Sequence, residues 1–223
     1  MNLWVSDQKR WRASPSLGNR QVESLERWLR TGGIEDREGC LTPLGKLFVA
    51  KGTTCLPLWE MLWVNVVFNF PTARWYVHLG RGEWTTSELK SLLRAAVLGL
   101  AERTVSNAIT ELASFLQRTP VGRELRQGEV IGGTPRRVVR RGLEPCDAAI
   151  VHSLWRLYLQ QHQTRLPWGS DLTWPWVVFG CSKQFVIERL IGMPEGYFDI
   201  DEHGLTLRAE GEEWWECGGM MIS

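Results

Sequence analysis

Residues 56–70 read LPLWEMLWVNVVFNF and are apolar on nearly every side. A helix without a polar face is buried rather than laid on a surface. This one is too short to cross a bilayer and is interrupted by Glu60, Asn65 and Asn69. It is therefore expected to be a core helix of a soluble protein, ended by Pro71. Of its polar residues, Glu60 stands out as a lone carboxylate, expected to pair with an arginine. The chain of 223 residues is long enough for one large domain or two to three small ones. Three segments are expected: 1–55, a basic arm and a small helix-and-turn unit; 56–142, the aromatic helix and a central unit of helices and a hairpin; and 143–223, a helical and hairpin unit.

Periodicity places the other elements. The opening stretch to residue 16 is polar and basic, with Lys9, Arg10 and Arg12 interleaved with Trp4 and Trp11. Val22, Leu25, Trp28 and Leu29 recur at helical spacing before Gly32, and Pro43 to Ala50 predicts a short helix. ARWYVHLG, residues 73–80, fits a helix or a strand. TTSELKSLLRAAV begins with Thr85 and has Glu88 three residues on, a capping box, with Leu89, Leu92, Leu93 and Val97 as its buried stripe. ERTVSNAITELASFLQR then carries Val105, Ala108, Ile109, Leu112, Phe115 and Leu116 on one face. Arg103, Ser106, Asn107, Thr110, Ser114 and Gln117 lie on the other. RQGEVIGGTPRRVVRR predicts two extended runs around Gly132-Gly133. Further on come a helix within 145–163, a helix capped by Ser182, and a hairpin in YFDIDEHGLTLRAEG. Helix followed by hairpin recurs near 20–45, 102–142 and 182–210. The expected fold class is mostly α with small β hairpins, in winged-helix-like units.

Charge decides what such a fold can bind. The net charge of +1 excludes a uniformly basic binder, so an anion site must come from local clustering. Such a cluster runs from 118 to 141, where Arg118, Arg123, Arg126, Arg136, Arg137, Arg140 and Arg141 face only Glu124 and Glu129. A helix that reads a major groove needs an apolar inner face, small polar or arginine side chains outside, and flanking cations for phosphates. Arg103, Ser106, Asn107 and Thr110 supply the outer face, and arginine pairs on a β ribbon suit a phosphate backbone. Duplex DNA is the expected partner. The alternative is that the same units contact proteins and the arginines are merely solvated. Thirteen tryptophans spread along the chain fill a core or, at some positions, stack on bases or anchor a partner.

LAERTVSNAITEL resembles the recognition-helix pattern of bacterial winged helix-turn-helix proteins over residues 85–142, except that Ala101 stands where that family carries a Ser or Thr cap. LGNRQVESLERWL, LTPLGKLF, LWEMLWVNVVFNFPTARWYVHL and ERTVSNAITELASFL together resemble an uncharacterised bacterial family of unknown function. The genes of that family lie beside PAPS-reductase-like genes in DNA-phosphorothioation and phage-defence islands. The resemblance covers residues 17–120. It implies a defence or DNA-modification assembly with other protein subunits, and brings no catalytic residues with it.

No enzyme is expected. His78, His152, His162 and His203 lack ligand spacing, and Cys146 and His152 fall on different faces of one helix. Asp199, Asp201, Glu202 and His203 sit where a hairpin turn is expected rather than a metal site, and LGRGEW has the wrong spacing for a phosphate loop. No nucleophile, base and stabiliser combine, so no catalytic residue, metal or cofactor is predicted. Five cysteines without a CxxC predict reduced thiols, and no apolar leader core opens the chain, so a cytoplasmic protein is expected. The function predicted is non-catalytic binding of duplex DNA in a defence or modification assembly. A scaffold subunit of such an assembly and a stand-alone transcriptional regulator are the alternatives.

Overall fold

Capping chemistry sets the first elements. In the computed structural model, which describes residues 18–163, 165–169, 171–193 and 198–208, α1 spans Asn19–Thr31 and α2 spans Pro43–Lys51. The expected basic arm, with Trp4 and Trp11, lies outside the described residues. Thr42 starts α2: its Oγ1 accepts from the Gly45 amide at 3.1 Å, and Pro43 needs no donor there. Between these helices Ile34 turns inward beside an isolated Glu35–Leu41 bridge. α3 (Leu56–Asn69) is buried without interruption from Leu58 to Phe68. Pro71 then opens α4 (Pro71–His78), so the ambiguous ARWYVHLG segment is helical up to His78.

From α4 onward the described residues make the same series of element types twice. After α4 come β1 (Gly82–Thr85), α5 (Thr86–Ala96), α6 (Glu102–Arg118), the single turn α7 (Pro120–Arg123), β2 (Glu129–Ile131) and β3 (Arg137–Arg140). Then follow α8 (Asp147–Gln161), β4 (Arg165–Pro167), α9 (Pro175–Phe179), α10 (Lys183–Ile191), β5 (Phe198–Ile200) and β6 (Gly204–Leu207). The strands form two antiparallel three-stranded sheets, ordered β1-β3-β2 and β4-β6-β5. Apart from α7, each run reads helix, strand, helix, helix, strand, strand, and in each the last strand is central. The protein is mostly helical, and its buried core runs from Leu29 to Leu205. Among the described residues no helix is long and apolar enough to cross a membrane.

The polar residues of α3 tie it to its neighbours. Asn65 donates to the Gly32 carbonyl at 3.0 Å, and its Oδ1 accepts from His152 Nε2 at 2.9 Å and from Arg156 at 3.0 Å. One turn on, Asn69 donates to the Thr31 carbonyl and accepts from Arg156. Thus α3 is clipped to the end of α1 on one side and to α8 on the other. Glu60 does not pair with an arginine, contrary to the sequence reading. It accepts the Cys146 amide at 2.8 Å, the residue that begins α8, so its carboxylate meets the positive end of that helix. Burial raises the Glu60 pKa.

Arg140 is the other internal tie. It is only 1% exposed and donates to the carbonyls of Val77, Gly80, Val177 and Val178 and to Gln127 Oε1. The end of α4 and the end of α9 are thereby joined through one guanidinium, which also lies 5.7 Å from the Tyr76 ring. Gln127 completes the set, donating to the carbonyls of Leu125 and Phe179. Beside it Gly142 and Gly180, both at positive φ, meet back to back: a Cβ on Gly142 would collide with the Gly180 carbonyl.

Two outcomes follow from these ties. Arg140→Met takes one donor from each of four carbonyls at this junction, two of them buried, and is expected to cost roughly 3 kcal/mol or more in chemical denaturation. Arg137→Ala, at an exposed ion pair, is expected to cost under about 1 kcal/mol. The second concerns pH. Burial, with Arg156 adding to it, pushes the His152 pKa from its ordinary 6.5 down to about 3. The unfolded chain takes up a proton below pH 6.5 that the folded protein refuses. Stability is therefore full above pH 6.5 and falls by roughly 1 kcal/mol per pH unit as pH drops toward 3. Melting curves of His152→Gln are expected to lose part of that slope.

Candidate nucleic-acid interface

The interface expected from sequence centres on α6 and the β2–β3 hairpin. Thr85 starts α5 with a complete capping box: its Oγ1 accepts from the Glu88 amide at 3.1 Å, and its own amide donates to Glu88 Oε2 at 2.7 Å. Hydrogen bonding to Thr85 holds the Glu88 pKa down. Leu89 and Leu93 of α5 are buried, but Leu92 and Val97 are exposed, correcting the stripe read from sequence. The helix ends at Ala96, so Val97 falls in the turn, and Leu92 looks away from the core. Leu98, 90% exposed, and Leu100 join them in an apolar rim around the α5–α6 turn.

α6 is turned as expected. Val105, Ile109, Leu112 and Leu116 are buried, while Arg103, Asn107 and Thr110 are exposed at spacings of four and three, one stripe along the helix. Ser106 is half-buried beside the stripe. The Thr110 hydroxyl donates to the Ser106 carbonyl at 2.8 Å and keeps its lone pairs for an outside donor. Ala101 begins the helix without a side-chain cap, and Glu102 supplies the negative charge of the first turn.

The arginines divide into groups. Arg118 ends α6, about 22 Å along the axis from Arg103 at 1.5 Å per residue. With Arg123 and Arg126, exposed in the next turns, it belongs to the far end of the helix. In the hairpin, β3 alternates. Val138 and Arg140 face inward, so Arg140 cannot meet a phosphate and is removed from the expected interface. Arg137 and Arg141 face outward, and each is bonded to a glutamate: Arg137 to Glu83 at 2.7 Å and Arg141 to Glu129 at 2.8 Å. Arg136, at the hairpin end, is exposed and has no ion pair among the described residues. The structure thus gathers Arg103, Asn107 and Thr110 on one helix face, and Arg136 and Arg137 toward one end of the hairpin.

The other candidates have structural partners. His152 and Glu60 are buried ties, and burial, with Glu60 next to it, raises the Cys146 thiol well above its usual range, which makes it a poor nucleophile. Asp201 closes the β5–β6 turn by accepting the His203 and Gly204 amides, and pairs with Arg165. Among the described residues no three His, Cys, Asp or Glu side chains are placed to hold a metal. Cys40, Cys55, Cys146 and Cys181 are free thiols. One aromatic group had no sequence signal beyond composition: Trp168, Trp174 and Trp176 pack together, with the Lys183 ammonium 4.9 Å from the Trp168 ring. No family model, curated protein or solved structure matches the chain.

The two faces of α6 are expected to behave oppositely. Leu112→Ala removes a fully buried side chain and should cost about 2–5 kcal/mol in denaturant melts. Thr110→Ala should change stability by less than about 0.5 kcal/mol. Ala101→Ser supplies the missing cap and should stabilise by roughly 1 kcal/mol.

Proposed function

We propose that the run from α4 to β3 is a winged helix that binds duplex DNA without catalysis, α6 lying in the major groove and the β2–β3 hairpin acting as the wing. The observation that carries this reading is the exposed Arg103–Asn107–Thr110 stripe on a helix whose opposite face is buried. Arginine and asparagine offer paired donors and acceptors that suit guanine and adenine edges. The order of elements and the β1-β3-β2 sheet support the winged-helix assignment, and Arg136 at the hairpin end supports phosphate contact. The resemblance to a family from DNA-phosphorothioation and phage-defence islands supports a place in such an assembly, beside other protein subunits in the cytoplasm.

A second reading is favoured by the rim of Leu92, Val97, Leu98 and Leu100. An apolar turn ahead of α6 suits contact with protein better than contact with phosphate, and supports a scaffold role for the same unit.

Binding of the whole chain to mixed-sequence duplexes at two salt concentrations separates the readings. Duplex binding is expected to weaken steeply with salt, and Arg136→Ala to shallow the slope of log K against log salt by about 0.9. Arg103→Ala and Asn107→Ala are expected to reduce the spread of affinities between duplex sequences, each by roughly 1–3 kcal/mol of discrimination if its side chain bonds a base edge in bidentate fashion. A chain that binds no duplex at low salt would leave the scaffold reading.

A further inference from the structure

The outward face of the β1-β3-β2 sheet is charged but balanced. Residues paired across antiparallel strands share a face. Glu83 lies opposite Val139 in β1, and Glu129 lies opposite Val139 from the other side in β2. The three make a row across the sheet, with Arg137 two residues to one side in β3 and Arg141, just past the end of that strand, two residues to the other. Each arginine reaches diagonally to a glutamate of a different neighbouring strand, Arg137 to Glu83 and Arg141 to Glu129. Val139 is buried beneath them. Thr85 and Ile131, both opposite Arg137, complete the face without charge. Two positive and two negative groups therefore cancel beside the proposed DNA-binding surface.

We infer that Glu83 and Glu129 are specificity-determining residues that hold Arg137 and Arg141 away from phosphates and so suppress sequence-independent binding. This rests on the duplex-binding reading above. A carboxylate presents oxygens to a guanidinium much as a phosphate does. A duplex that engages Arg137 or Arg141 must displace the glutamate, and the displaced carboxylate then stands beside the phosphate as a like charge. Phosphate contacts through this sheet gain little, whereas the α6 stripe is untouched by the exchange. Discrimination rises because the sequence-blind part of the affinity is held down.

The test uses the whole chain and a mixed-sequence duplex, comparing the wild type with Glu83→Gln/Glu129→Gln. Glutamine keeps the size and one acceptor oxygen and removes the charge, and exposed ion pairs contribute little to folding, which a melting curve verifies. The double variant is expected to bind the duplex more tightly, with a salt slope steeper by up to about 2 if both freed arginines reach phosphates. Arg137→Ala and Arg141→Ala added to it should return the slope to its starting value. Glu23→Gln/Glu38→Gln, the same charge change away from the sheet, should leave the slope where it was. An unchanged slope in the Glu83/Glu129 variant of a wild type that binds would overturn the inference alone, as would an equal gain from Glu23/Glu38. If neither the wild type nor the Glu83/Glu129 variant binds at low salt, the duplex-binding reading falls and takes the inference with it. A wild type that does not bind, beside a variant that does, would end the duplex-binding reading for the native chain and the inference with it.

Discussion

One guanidinium organises the junction on which both halves of the fold rest. Arg140 spends its donors on the ends of two helices, α4 and α9, that come from different repeats of the same element order. Helix ends leave carbonyls without partners, and burying them together would be costly without a donor set of the right shape. A planar arginine fork supplies it, and its positive charge suits the negative ends of the helices. Gln127 holds the remaining edge, Trp63 donates to the Val178 carbonyl at 3.0 Å, and Tyr76 donates to the Gln127 carbonyl at 3.0 Å. Desolvation brings the Arg140 pKa down to about 10, so the group stays charged through the physiological range.

α3 solves a related problem by different means. A helix buried on all sides has no preferred rotation from hydrophobicity alone. Asn65 and Asn69, one turn apart, choose one: they must meet the last carbonyls of α1 while receiving Arg156 of α8. Glu60, on the same helix, fixes the start of α8. Apolar bulk supplies most of the cohesion and three polar side chains supply the register.

Much of this was legible, for identifiable reasons. Strong helical stripes located α1 and α6, the capping box located α5, and the glycine pair located the β2–β3 hairpin. Strands of three or four residues, such as β1 and β4, carry too few alternations to announce themselves, and the arrangement of both sheets depends on them. The candidate interface was legible on α6, where one apolar face leaves only one face for solvent. It was less so on the hairpin. Counting arginines overstated the cations the hairpin leaves free, although the pattern RVVR held the warning. If Val138 faces the core, period two sends Arg140 with it. The partners of Arg137 and Arg141 come from β1 and β2, and no local pattern could name Glu83, more than fifty residues away. Leu92 fitted the stripe of α5 by spacing, yet helical spacing does not say how wide the buried face is.

The meeting of Gly142 and Gly180 limits how this chain can be divided. The link after β3 is where a sequence reader would cut to isolate the DNA-binding candidate. The backbone on either side of that link is not surface. Arg126 accepts the amides of Arg141 and Gly142, the Leu143 amide donates to Phe179, and Arg140 reaches across to α9. A fragment ending at residue 142 would carry Arg140 into solvent with two of its five acceptors missing, and a fragment starting at 143 would expose the carbonyls it served. The two runs of elements therefore share one core and one set of buried hydrogen bonds, and a cut between them strips polar groups on both sides of their partners.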